Sequence, residues 1–83
     1  FYTIYIIDPR HHPLGEISLS LLLRQQEETV VSDIMSQDMR SILVTKDQEE
    51  VAFAFRHYGL VSAPVIDETG RIVGMITVDD AVD

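Results

Sequence analysis

The chain has 83 residues, a formal net charge of −8 at pH 7 and no cysteine. The lack of cysteine excludes disulfide scaffolds, thiolate zinc sites and cysteine nucleophiles, and the acidic balance argues against nucleic acid and anionic lipid, which are bound mainly through basic patches. The longest apolar runs fall far short of the roughly 20 residues of a membrane helix.

The first predicted element is a β-hairpin at the start of the chain. Alternating apolar residues predict a strand over 1–7, the segment 8–13 predicts a turn, and alternation resumes after it. His11 stands where the turn needs a positive φ, which histidine tolerates better than most residues do, and we expect His11 and His12 in a solvated turn. Because the strand pattern opens without an initiator Met, we expect the chain to be a fragment of a longer protein.

A short strand and a helix are predicted in the middle of the chain. The segment 27–35 reads as a connection, 42–45 as a strand, and Asp47 as the N-cap of a helix that ends at a left-handed Gly59. One face of this helix is expected to be buried, because apolar residues recur at i, i+3, i+4 and i+7. These residues are Val51, Ala54, Phe55 and Tyr58.

A second hairpin is predicted near the end, because the sequence repeats itself there at a constant offset of 59 residues. Gly70 supplies the positive φ of its turn, and a final helix opens at about Thr77. The matching segments are Ile6-Ile7-Asp8 with Val65-Ile66-Asp67, Leu14-Gly15 with Val73-Gly74, and Ile17-Ser18-Leu19 with Ile76-Thr77-Val78.

The order strand, helix, strand, strand, helix resembles the CBS domain. The resemblance implies an α/β (α+β) fold of tandem β-α-β-β-α units, with small three-stranded sheets packed as a pair. The chain would then hold the back half of a first unit (1–26), a linker (27–35) and a second unit (36–83). The residues that carry the resemblance are Val31-Ser32-Asp33-Ile34-Met35, Ala63-Pro64-Val65-Ile66-Asp67, Gly70-Arg71-Ile72-Val73-Gly74 and Ile76-Thr77-Val78-Asp79-Asp80.

Three further segments are similar to the second CBS domain of MgtE-type magnesium transporters: 47–52, 56–60 and 77–83. This resemblance implies a regulatory module on the cytoplasmic side of the cell membrane that forms a homodimer and gates a pore by sensing magnesium. The transmembrane pore and an N-terminal domain would lie outside this chain. No enzymatic activity is expected, since no serine has the neighbouring His and acid pattern of a nucleophile.

The resemblance places magnesium-binding acids at Glu49, Asp80 and Asp83. Carboxylate oxygens suit Mg²⁺, and residues three apart on a helix lie on the same side. A fourth acidic position of the family falls on Gly59, which has no side-chain oxygen. The alternative is that these acids only stabilise helix N-termini through the helix dipole.

Thr77 and Asp80 form a T-x-x-D pattern, which is first of all a capping box. In CBS domains the same two groups often meet the phosphate and ribose of an adenine nucleotide. The first copy has Ser18 and Leu21 at these positions and so lacks the carboxylate. Two alternatives to the magnesium sensor therefore stay open: an adenine-nucleotide sensor attached to another enzyme or channel, and a dimerising platform without a ligand.

Overall fold

The computed structural model describes residues 2–78, and the chain divides into two compact units between Met39 and Arg40. We call them the N-terminal unit and the C-terminal unit. The boundaries predicted from the sequence, 1–26, 27–35 and 36–83, stay a prediction, as does the packing of two CBS units as a pair.

The N-terminal unit is built on the predicted hairpin. Its two strands are antiparallel, and Ser36, the residue after the predicted linker, forms an isolated antiparallel bridge with Glu16 in the second strand. The backbone N–H groups of Ser36 and Glu16 each donate to the carbonyl oxygen of the other, at 2.7 and 2.8 Å. The elements are β1 (Thr3–Ile7), β2 (Pro13–Ser18), α1 (Leu19–Leu23) and a 3-10 turn (Val31–Asp33).

The C-terminal unit has the predicted order strand, helix, strand, strand. Its sheet has the order β3-β4-β5, with β3 parallel and β5 antiparallel to the central β4. The elements are β3 (Ile42–Leu43), α2 (Gln48–Tyr58), β4 (Ser62–Ile66) and β5 (Ile72–Thr77). Val78 is the first helical residue after β5, and the rest of the predicted final helix lies outside the described residues.

Strand β3 is shorter than the predicted segment 42–45. Val44 and Thr45 already lie in a turn, which the Lys46 N–H closes by donating to the Leu43 carbonyl at 3.0 Å. The Val44 N–H still donates to the Ile66 carbonyl at 2.8 Å. The turn therefore begins where the chain must leave the sheet to enter α2.

Both predicted ends of α2 are confirmed. The Asp47 side chain accepts a hydrogen bond from the Glu50 N–H at 2.9 Å, and Gly59 ends the helix at φ 63°. The Gly59 N–H donates to the Phe55 carbonyl, as a left-handed C-cap does. At 11 residues α2 is the longest helix of residues 2–78, and none in that range is long and apolar enough to cross a membrane.

The predicted buried face of α2 is correct except at its last residue. Val51 and Phe55 are buried and Ala54 packs against them, whereas Tyr58 is 46% exposed. Tyr58 lies at the end of the helix, where the Arg40 guanidinium covers its ring at 3.4 Å from the ring centroid. The core of the unit consists of Ile42, Val51, Phe55 and Ala63, with Ala54, Leu60, Ile76 and Val78 packed around them.

The sequence repeat is also a structural repeat, because the two hairpins share their hydrogen bonds at the same offset. The Asp8 N–H donates to the His12 carbonyl at 3.0 Å, and the Asp67 N–H donates to the Arg71 carbonyl at 3.0 Å. Each pair of strands also has a register shift at the corresponding place, next to Ile7 and next to Ile66. The offset read from the sequence is therefore confirmed.

Both turns need a residue with a positive φ at the same position, and the two copies have different residues there. His11 adopts φ 67° and Gly70 adopts φ 85°, so the predicted left-handed position of His11 is confirmed. His11 is exposed, whereas His12 is half-buried and its Nδ1 lies 3.0 Å from the Asp8 Oδ2. The expectation of a solvated turn thus holds for His11 but omits the contact that His12 makes.

Candidate functional site

One candidate ligand site is a cleft of about 420 Å³ in the N-terminal unit. It lies where β1 begins, β2 ends and α1 starts. We call it the N-terminal cleft, and its lining residues are Tyr2, Thr3, Ser18, Leu19, Ser20 and Leu23. Three aliphatic hydroxyl groups, those of Thr3, Ser18 and Ser20, and the exposed apolar groups of Tyr2 and Leu23 share one concave surface. This surface suits a ligand with both a flat apolar part and a polar part.

A cross-strand pair of hydroxyl residues marks this position in both hairpins. Thr3 faces Ser18 in the first hairpin, and Ser62 faces Thr77 in the second. The Ser18 hydroxyl is already used, because it accepts a hydrogen bond from the Leu21 N–H at 3.2 Å as the N-cap of α1. Ser18 is therefore an N-cap residue, and the capping box of Thr77 and Asp80 in the second copy stays a prediction.

Sequence reasoning missed Tyr2, Thr3 and Ser62 as candidate site residues. The signal was present, since Thr3 and Ser62 are related by the same offset of 59 and both carry a hydroxyl. Of the predicted nucleotide-binding pair, Thr77 is exposed at the end of β5, and Asp80 lies outside the described residues. The pairing of Thr77 with Asp80 stays a prediction.

The predicted magnesium site is described only in part. Glu49 lies in the first turn of α2 with an exposed side chain, whereas Asp80 and Asp83 lie outside the described residues. Among residues 2–78, no three Asp, Glu or His side chains come together as a metal site. The Glu49 carboxylate is of the donor type that Mg²⁺ prefers, and its grouping with the other two acids stays a prediction.

A second, smaller cleft of about 240 Å³ is lined in part by the partly buried carboxyl group of Glu16. Partial burial of Glu16, and then the nearby charge of Asp38, raise the pKa of the Glu16 carboxyl. This cleft adjoins the bridge between Glu16 and Ser36. It is lined by Thr3, Glu16, Ile17, Ser18, Leu21, Ile34 and Ser36.

Two aspartates in the hairpin turns have structural roles. The Asp8 Oδ1 accepts from the N–H groups of Arg10 and His12 at 2.8 and 2.9 Å, and the Asp67 Oδ1 accepts from those of Thr69 and Arg71 at 2.9 and 3.1 Å. The pKa of Asp8 is lowered mainly by the His12 N–H, and that of Asp67 mainly by the Thr69 side chain. Both carboxylates therefore stabilise a turn.

The model of one protein family, the CBS domain, matches residues 31–83. The chain belongs to the CBS-domain family. The match covers the whole C-terminal unit, whose sheet and helix carry the CBS order of elements, and the predicted CBS fold is confirmed. The first hairpin precedes the matched segment and repeats the hydrogen bonds of the second one.

This CBS chain is similar over nearly its whole length to magnesium transporters. It is 37% identical over 82 residues to the magnesium transporter MgtE of Enterococcus faecalis and 39% identical over 82 residues to MgtE of Thermus thermophilus. In each case 99% of the chain is covered, but it spans only 18% of the relative. The predicted resemblance to MgtE-type transporters is confirmed.

A solved structure gives the same relationship. The cytosolic domain of the Mg²⁺ channel MgtE in complex with ATP matches with a TM-score of 0.90 and 39% identity. The match covers 99% of this CBS chain and 33% of that domain. A CBS fold with small sheets is therefore established for this chain at both levels, sequence and structure.

Proposed function

We propose that this chain is part of the regulatory module of a magnesium or divalent-cation transporter, on the cytoplasmic side of the membrane. The observation that carries the proposal is the 39% identity and TM-score of 0.90 to an MgtE cytosolic domain over 99% of the chain. Two copies of the module pair, and the remainder of the transporter supplies the transmembrane pore. The role is one of binding and conformational change, and no catalytic step is assigned to it.

Magnesium is the proposed regulatory ion, with Glu49, Asp80 and Asp83 as its ligands. A chain of net charge −8 attracts cations, and carboxylates that retain some of the ion's water suit a weak, reversible site for Mg²⁺. Binding of the ion favours the compact module and holds the pore closed, and loss of the ion releases it.

A magnesium titration tests this proposal. At a Mg²⁺ concentration ten times the dissociation constant, the folded state gains about 1.4 kcal/mol, so the melting temperature should rise in the millimolar range. The triple variant Glu49→Gln, Asp80→Asn, Asp83→Asn should lose this rise.

The matched control removes three other exposed acids, by Glu27→Gln, Glu28→Gln and Glu68→Gln, and should keep most of the rise. Sodium chloride at equal ionic strength separates specific binding from general screening. An identical rise in the two triple variants would contradict the assigned ligands, and no rise beyond that in sodium chloride would contradict magnesium sensing.

Adenine-nucleotide binding in the N-terminal cleft is a second candidate function. It is favoured by the cleft itself and by the ATP held in the 39% identical MgtE domain. The Tyr2 ring, 75% exposed, is available to stack on adenine, and the Thr3, Ser18 and Ser20 hydroxyls surround the polar part. Leu21 stands at the position that Asp80 occupies in the second copy, so the first copy has no carboxylate there to bind the ribose.

Calorimetry with ATP and AMP tests this second function. Tyr2→Ala removes the proposed stacking surface and should weaken ATP binding about fivefold or more, since stacking of a base on an aromatic ring contributes about 1–3 kcal/mol. Tyr58→Ala is the control, because Tyr58 is also an exposed aromatic residue but lies outside the cleft. Equal binding by both variants, or no heat with either nucleotide, would remove the cleft from consideration.

A further inference from the structure

Glu16 has a carboxyl group for which the fold supplies no hydrogen-bond donor. It lines the smaller cleft and is partly buried, and within residues 2–78 its carboxyl oxygens take part in no hydrogen bond or ion pair. The nearest charge that acts on it is that of Asp38, which is also negative. A carboxylate that gives up water without gaining a donor costs free energy, so this position favours a ligand that brings donors of its own.

The smaller cleft adjoins the N-terminal cleft. Thr3 and Ser18 line both of them and face each other across the two strands. Glu16 lies two residues before Ser18 in β2, and residues two apart on a strand lie on the same face of the sheet. A ligand seated in the N-terminal cleft therefore reaches Glu16 by passing the Thr3 and Ser18 hydroxyls.

The sequence repeat relates Glu16 to a second residue of the smaller cleft, Leu21. At the offset of 59 residues, the counterpart of Glu16 is Met75 and the counterpart of Leu21 is Asp80. Each copy thus has one carboxylate and one apolar residue at this pair of positions, but in exchanged order. In the first copy the carboxylate has not been lost from the cleft, because it comes from β2 instead of from α1.

We infer that the Glu16 carboxylate, in place of a side chain at position 21, binds the ribose hydroxyls of an adenine nucleotide in the N-terminal cleft. A carboxylate only accepts hydrogen bonds, and the two neighbouring hydroxyls of a ribose offer it two donors. The phosphates, which Glu16 and Asp38 repel, lie away from it. The inference rests on the proposed nucleotide binding and deepens it, because it makes the site selective for ribonucleotides over 2′-deoxynucleotides.

Calorimetry with ATP and 2′-deoxy-ATP tests the inference. The two ligands carry the same base and phosphates, so the ratio of their dissociation constants reports on the 2′-hydroxyl alone. The unchanged chain should bind ATP about tenfold or more tightly than 2′-deoxy-ATP, as expected for a hydrogen bond to a charged group. Glu16→Gln keeps the size of the side chain but removes its charge, and should lower this ratio at least about threefold.

Moving the carboxylate within the cleft is a second test. Glu16→Met copies Met75 of the second hairpin and should bring the ratio close to one. Adding Leu21→Asp to it copies the arrangement of the second copy and should raise the ratio again, at least about threefold. Asp38→Asn is the control, because Asp38 acts on Glu16 through its charge but does not line the cleft. This variant should keep the ratio of the unchanged chain.

The outcomes separate failure of the inference from failure of nucleotide binding itself. If the unchanged chain gives no heat with ATP, both are wrong. If it binds ATP and 2′-deoxy-ATP equally, or if Glu16→Gln keeps the full ratio, nucleotide binding stands and the role of Glu16 is wrong. An equal loss of the ratio in Asp38→Asn, or no recovery on adding Leu21→Asp, also overturns the inference. Circular dichroism verifies that each variant is folded.

Discussion

Gly15 and Gly74 occupy the same position of the two hairpins but have different surroundings. A Cβ atom added at Gly15 would lie 2.7 Å from the Met35 Sδ and 2.9 Å from the Ser36 carbonyl oxygen, whereas one added at Gly74 would meet nothing within 4 Å. Met35 and Ser36 pack directly on Gly15, because Ser36 is hydrogen-bonded to the neighbouring Glu16. The glycine at this position is therefore required in one copy and only tolerated in the other.

Gly15→Ala should destabilise the fold, and Gly74→Ala should not. Met35 is flexible and can move, but the Ser36 carbonyl is fixed by its hydrogen bond, so overpacking at Gly15 should cost about 1–3 kcal/mol. At Gly74 an alanine gains backbone order without a clash, and we expect a change within about 0.5 kcal/mol of zero or slightly favourable. Urea unfolding of both variants measures the difference, and equal stabilities would contradict the contact of the linker with Gly15.

At the scale of elements, the start of α2 depends on a single side chain. The Asp47 carboxylate accepts the Glu50 N–H at 2.9 Å, while the Glu50 side chain turns to Lys46, whose Nζ lies 3.1 Å from its Oε2. Glu50 is thus paired with Lys46, and the N-cap function falls on Asp47. The Lys46–Glu50 pair is exposed and adds little to stability.

Asp47→Ala should lower the free energy of unfolding by about 1 kcal/mol, because it leaves a helix N–H without its acceptor. Gln48→Ala is the control, since Gln48 is exposed in the first turn and alanine is a good helix former. Thermal unfolding of the two variants compares them directly. If Asp47→Ala were no less stable than Gln48→Ala, the capping role would be wrong.

The elements also show what the sequence could and could not predict. The limits of α2 were predictable because Asp47 and Gly59 have local conformational reasons to be there. The end of β3 and the exposure of Tyr58 were not, because they depend on where the chain leaves the sheet and on the position of Arg40. The site residues that the resemblance implied, Glu49, Thr77, Asp80 and Asp83, stay predictions. The N-terminal cleft was not predictable from the sequence, because it depends on the hairpin geometry that brings Thr3 beside Ser18.

At the scale of the whole molecule, each unit has one hairpin turn held by an aspartate of lowered pKa. The unfolded chain binds protons at these carboxyls near their ordinary pKa of about 3.9, whereas the folded chain resists protonation. Their contribution is present above that pH and is lost as the pH falls through the lowered values. Glu16 acts in the opposite sense, since its raised pKa favours the folded state only at low pH, and that contribution is lost as the pH rises.

The double variant Asp8→Asn, Asp67→Asn should lose stability less steeply than the unchanged chain between about pH 5 and pH 2. Asparagine retains an oxygen that accepts the turn N–H groups but does not titrate in this range. Glu27→Gln with Glu28→Gln removes the same charge from exposed linker positions and serves as the control. Urea unfolding across this pH range measures how the free energy of unfolding changes with pH. Equal slopes of this free energy against pH in the two double variants would contradict the role of the turn aspartates.

The two strands of the N-terminal unit differ in what lies beside them. Within the described residues, Ser36 bridges to the outer side of β2, but β1 pairs with β2 alone and forms an edge of the sheet. The segment 3–7 is apolar and carries no charge or proline that would discourage another strand from adding there. In the C-terminal unit the corresponding side of β4 pairs with β3, so a lysine placed in β1 should hinder the pairing of a further strand at that side.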